Sequence, residues 1–135
     1  MSYRATGKWA TLVAHVDGGL TVADGTTVGT IVMPFDCYIE RVTMSVQEGG
    51  ATSGANEVML VDPDGVDMWA ANTLESTYSA NGTAVSITRS SLNTYGDNLF
   101  DEGDAITLEI HDGSGGSGAG GSPANLTVTV HVVGA

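Results

Sequence analysis

The chain alternates between apolar and polar positions. Leu126, Val128, Val130 and Val132 fall on one side of residues 126–133, and Thr127, Thr129, His131 and Val133 fall on the other. A period of two is that of a strand with one buried and one wet face. Residues 106–111 repeat the pattern, with Ile106, Leu108 and Ile110 set against Thr107, Glu109 and His111. Residues 8–16 and 26–33 are apolar, β-branched runs closed by Asp17-Gly18-Gly19 and by Pro34. Residues 37–47 make the longest run. Its apolar positions change phase between Ile39 and Val42, which predicts a β-bulge near Glu40 and Arg41. Val42, Met44 and Val46 then share a face. Residues 57–61 and 66–71 flank Asp62-Pro63-Asp64-Gly65, a hairpin-turn sequence. Residues 84–88 add a short strand with Val85 and Ile87 inward.

The pattern gives about eight strands, most of them roughly 8–15 residues apart, punctuated by Gly, Asn, Asp and Ser. No helical periodicity appears; Asn93, Gly96, Asp97 and Asn98 make residues 90–100 a loop. The expected fold is all-β, an antiparallel β-sandwich of jelly-roll topology, with a seven-stranded immunoglobulin-like sandwich as the nearest rival. The 135 residues suit one domain, expected over residues 10–135 behind an N-terminal arm of residues 1–9. Two stretches are low in complexity, residues 49–56 (GGATSGAN) and 112–123 (DGSGGSGAGGSP). The second lacks the Lys and Ser/Thr ending of a phosphate-binding loop and reads as a flexible connection.

Charge narrows the function classes. Four Lys and Arg stand against sixteen Asp and Glu, for a net charge of −12. Arg4, Lys8, Arg41 and Arg89 are too few and too scattered to neutralise a phosphate backbone, so no direct nucleic-acid binding is expected. An anionic membrane surface would repel the chain, and no stretch approaches the ~20 apolar residues of a spanning helix. The first residues carry no apolar run of signal-peptide length, which argues against secretion by that route. Cys37 is the single cysteine, so no internal disulfide and no cysteine-based zinc site can form.

Candidate chemistry is sparse. Asp62, Asp64 and Asp67 form a carboxylate cluster of the kind calcium prefers, but EF-hand spacing is absent and Asp-Pro-Asp-Gly is a turn sequence. Asp97, Asp101, Glu102 and Asp104 form the densest acidic run. It reads as a solvated loop with Gly103 in an unusual backbone conformation. His15, His111 and His131 lie in separate strands. If the last two strands paired through the Gly-rich stretch, His111 would face about Asn125 and His131 would sit near 20 Å away. Cys37 follows Asp36 and lies near Glu40, a setting that raises a thiol pKa and suits a buried structural residue. No nucleophile elbow or cofactor motif is present. No catalytic residue, metal or cofactor is therefore expected. The exposed-aromatic candidates include Trp69 and Tyr78. Tyr3, Arg4, Lys8 and Trp9 gather aromatic and basic groups at the N-terminus, where an extended arm could dock on an acidic or polar partner.

The succession of TIVMPFD (residues 30–36), CYIERVTMSV (37–46), VMLVDPDG (58–65), FDEGDAITLEI (100–110) and LTVTVHV (126–132) resembles a known family. It is similar to the small jelly-roll domains of tailed-bacteriophage virions, which serve as head decoration (cement) proteins and as domains of tail or head fibres. The resemblance covers residues 10–133 apart from the Gly-rich insert. It implies a structural, non-enzymatic protein, a homotrimer on the outer surface of the capsid that binds the major capsid protein and stabilises the shell. Tyr3, Arg4, Lys8 and Trp9 are the expected capsid contacts. The alternative it implies is a receptor- or carbohydrate-binding fibre domain, using Trp69 and Tyr78 with calcium in the acidic loops.

Overall fold

The structure, a computed structural model, describes residues 7–19, 25–48, 57–68, 85–89, 92, 99–111 and 124–135. Within them run seven strands: β1 (Trp9–Gly19), β2 (Thr26–Val32), β3 (Cys37–Glu48), β4 (Glu57–Val61), β5 (Val85–Thr88), β6 (Ala105–His111) and β7 (Ala124–Gly134). They form a four-stranded sheet in the order β1-β7-β3-β5 and a three-stranded sheet in the order β2-β6-β4. Every pairing is antiparallel. From β1 to β4, and again from β5 to β7, each connection crosses from one sheet to the other. That alternation between two antiparallel sheets is the jelly-roll plan the sequence leads one to expect. An eighth strand, expected over residues 66–71, is described only to Met68. There the chain has turned back on the three-stranded sheet, with Val61 bridging to Asp67 and Met68 N–H donating to the Leu60 carbonyl.

The core lies between the sheets, and the alternation builds it. Leu126, Val128, Val130 and Val132 of β7, Ile106, Leu108 and Ile110 of β6, and Ile39, Val42 and Met44 of β3 are all buried. Ala10, Leu12, Ala14 and Val16 of β1 pack partly against them. Residues 58–61 read as a continuous apolar run, and Val58, Met59, Leu60 and Val61 are all buried, the pattern of a strand covered on both faces.

Three local expectations are met. The β3–β7 register shifts between Ile39 and Arg41, so one extra residue brings Ile39 and Val42 both inward and leaves Glu40 and Arg41 outside. In the Asp62 hairpin, Asp62 Oδ1 accepts from the N–H groups of Asp64 (2.9 Å) and Val66 (2.8 Å). Gly65 there takes φ +83°, which its lack of a Cβ permits. Gly103 sits at φ +91° in the turn before β6, where Asp104 Oδ2 accepts from Asp101 N–H at 3.0 Å.

One conditional pairing is corrected. β6 and β7 do not form a hairpin across residues 112–123; they belong to opposite sheets. Residue His111 pairs with Glu57 of β4, and Asn125 lies on β7 beside the end of β1. A Gly-rich connection can cross the sandwich as readily as it can turn a hairpin.

Candidate functional site

The outer face of the four-stranded sheet is a lattice of cross-strand rows. Trp9, Val133 and Tyr38 form one row, and Thr11, His131, Arg41 and Thr88 form the next. Val13, Thr129, Thr43 and Ser86 follow, then His15, Thr127 and Ser45. The hydroxyls are joined across the strands. Thr43 Oγ1 lies 2.9 Å from Ser86 Oγ, His15 Nδ1 lies 3.0 Å from Thr127 Oγ1, and Thr11 Oγ1 lies 3.3 Å from His131 Nδ1. Among the described residues the carboxylates of this face are Asp17 and Glu40. Each sits beside a potential cation, Asp17 2.8 Å from His15 Nε2 and Glu40 3.8 Å from the Arg89 guanidinium. In a chain of net charge −12, this face is close to neutral and the acidic turns lie elsewhere.

Lys8 and Trp9 stand at one end of this face. Trp9 opens β1 opposite Val133, and the Lys8 carbonyl accepts from Gly134 N–H at 2.8 Å. The indole is 75% exposed, more than any other large apolar side chain described. The Lys8 ammonium lies 5.9 Å from the centre of the Phe35 ring, within cation–π range. Lys8, Phe35, Asp36, Glu102 and Ala135 line a depression of about 220 Å³. Asp36 is fixed there, its Oδ1 accepting from Glu102 N–H at 2.9 Å. Tyr3 and Arg4 lie outside the described residues, as do Asp97, Trp69 and Tyr78.

At the other edge of the sheet is a cleft that sequence reading missed. Glu40, Arg41, Thr88, Arg89 and His131 line about 490 Å³. The bulge supplies Glu40 and Arg41 side by side; β7 brings His131 and β5 brings Thr88 into register with Arg41. The Arg89 guanidinium lies over the Tyr38 ring, 4.6 Å from its centre. The phase change at residues 39–42 was the available signal for half of this cleft. Nothing local to Arg89 signals the rest, because only the pairing of β5 with β3 brings it there.

The other candidates fall into structural roles. No three of the described His, Cys, Asp and Glu side chains converge to hold a metal ion. Asp62 is 3% exposed and organises its hairpin. Cys37 is fully buried and exchanges two backbone hydrogen bonds of 2.9 Å with Phe100. Burial, with the nearby charges of Asp36 and Asp104, pushes its thiol from 9.0 up to about 11. The expected result is a thiol that resists alkylation in the native chain at neutral pH and reacts on unfolding. Because the folded pKa is raised, the unfolded state loses this proton first as pH rises. The stabilisation is therefore whole below pH 9 and declines as pH climbs through about 11. Urea midpoints across that window should fall in the wild type and fall less in Cys37→Ala.

Phage capsids use this fold. The chain is similar in structure to a chain in the capsid of Ralstonia phage GP4, with a TM-score of 0.57 at 14% identity, covering 100% of this chain and 89% of that one. It is likewise similar to a chain in the cyanophage Pam1 capsid asymmetric unit, with a TM-score of 0.51 at 15% identity and the same coverages. No protein-family model and no curated protein sequence matches it. The likeness is therefore one of fold rather than of sequence.

Proposed function

We propose that the chain is a structural protein of a virion, a decoration or cement protein that binds the outer surface of the major capsid shell and stabilises it. The observation that carries this reading is the end-to-end match of its jelly roll to two chains of phage capsids. The near-neutral Thr- and Ser-rich sheet face supports it, because side chains already tied in cross-strand hydrogen bonds lose little freedom on docking. In this reading Tyr3, Arg4, Lys8 and Trp9 contact the major capsid protein. The chain acts as a homotrimer whose assembly covers exposed sheet edges. Its net charge of −12 suits a component held outside the shell, away from packaged DNA. It carries out no reaction.

The test is the number of copies per purified particle, read by quantitative mass spectrometry against the major capsid protein. A decoration role predicts on the order of hundreds, the multiplicity at which modest individual contacts hold by avidity. A few copies per particle, or none, would overturn it.

A further inference from the structure

We propose that the cleft at the β3 bulge is a carboxylate-binding site, receiving an Asp or Glu side chain from a polypeptide partner that lies along the four-stranded sheet. The first support is the placement of positive charge. The whole chain has four Lys and Arg, and two of them, Arg41 and Arg89, line this one cleft together with His131. The second is preorganisation. Arg89 is held over the Tyr38 ring 4.6 Å away, and its side chain is 17% exposed. Much of its rotamer freedom is already lost, so it holds positive charge in place beside Arg41, which at an exposed position offers the planar guanidinium that suits the two oxygens of a carboxylate. Glu40 lines the same cleft 3.8 Å from Arg89, so the Arg and Glu charges there sum to one positive.

Charge also selects the class of ligand. A nucleic acid or sulfated glycan that placed one anionic group in the cleft would bring many more toward a molecule of net charge −12. A protein side chain brings a single charge. Its flanking backbone would then run over Thr11, Thr43, Ser86 and Thr129, a stretch of the face without a carboxylate. The volume, about 490 Å³, admits a side chain with part of its backbone. The site stands on its own geometry and holds whether or not the chain decorates a capsid.

The test is an NMR titration of the full chain with a blocked Gly-Glu-Gly-Glu-Gly peptide, its Gln counterpart, inorganic phosphate and a heparin oligosaccharide. The Glu peptide should shift the backbone amides of Arg41, Thr88 and His131 saturably, and added salt should weaken it. The Gln peptide should leave them in place. Arg41→Gln, at an exposed position, should weaken binding about tenfold or more, the loss expected for a hydrogen bond to a charged group. Arg89→Gln should do the same, and because that side chain packs on Tyr38, Arg41→Gln decides the matter if Arg89→Gln fails to fold. Any one of four results would overturn the site: no saturable shift, equal shifts with the Gln peptide, unchanged affinity in Arg41→Gln, or equal or tighter binding of phosphate or heparin.

Discussion

Leu108→Ala is expected to lower the free energy of unfolding by about 3 kcal/mol, within the range for fully buried leucines. Leu108 is wholly buried on β6, the central strand of the three-stranded sheet. It stands between Leu60 of β4 and Gly29 of β2. Gly29 has no side chain to move into the space vacated, so the cavity should stay open on that side. A methyl group built on Gly29 would lie 3.7 Å from Leu108 Cβ and Cδ2, an ordinary packing distance. Gly29→Ala alone should therefore be tolerated, and could gain about 0.5 kcal/mol by restricting the unfolded chain. Urea denaturation followed by far-ultraviolet circular dichroism measures both. A loss under about 1 kcal/mol for Leu108→Ala would mean that the facing sheet closes the gap.

The second large effect is expected at Trp9. An aromatic side chain that is 75% exposed alone and buried at an interface belongs to the class whose truncation costs about 2–4 kcal/mol of binding, roughly 30- to 1,000-fold. Repetition over an oligomer would multiply the loss. Under the proposed decoration role, Trp9→Ala should abolish co-sedimentation with shells stripped of this chain, with Lys8→Glu acting in the same direction. Because the indole is mostly in water, the melting temperature should barely move. A Trp9→Ala, Lys8→Glu double variant that still bound shells with wild-type affinity would move the contact away from this end of the sandwich.

Much of this was readable from the residues, for physical reasons that also mark the limits of that reading. Alternation tells which side of a strand is buried, so Leu126 to Val132 and Ile106 to Ile110 were placed inward correctly. A break in alternation has few explanations, so the bulge at Glu40 and Arg41 was legible as well. Asp62 to Gly65 could be recognised because turn geometry is set by adjacent residues. Partnership between strands was not legible. Both sheets bury their inner faces in the same core, so a strand of either sheet carries the same pattern. That is why β6 and β7 could be imagined as a hairpin when they lie across the sandwich from each other. The same blindness hid the cleft. Arg41 and Arg89 meet through a β3–β5 pairing between residues more than forty positions apart. Trp9 and Lys8 were singled out by composition alone, as an aromatic and a basic residue side by side near the N-terminus.

The place of β7 in the four-stranded sheet governs the order in which the protein can be made. It lies between β1 and β3, hydrogen-bonded to both along most of its length. Among the described strands, β1 has no partner in its sheet until residues 124–134 have left the ribosome, and β3 has only the four residues of β5. The nascent chain therefore carries two long, half-apolar strands short of their main partner through most of its synthesis, a state prone to pairing with neighbouring copies. A stop codon or protease cut ahead of residue 124 would not trim an edge. It would remove the centre of the sheet and leave a lone strand beside a two-stranded ribbon.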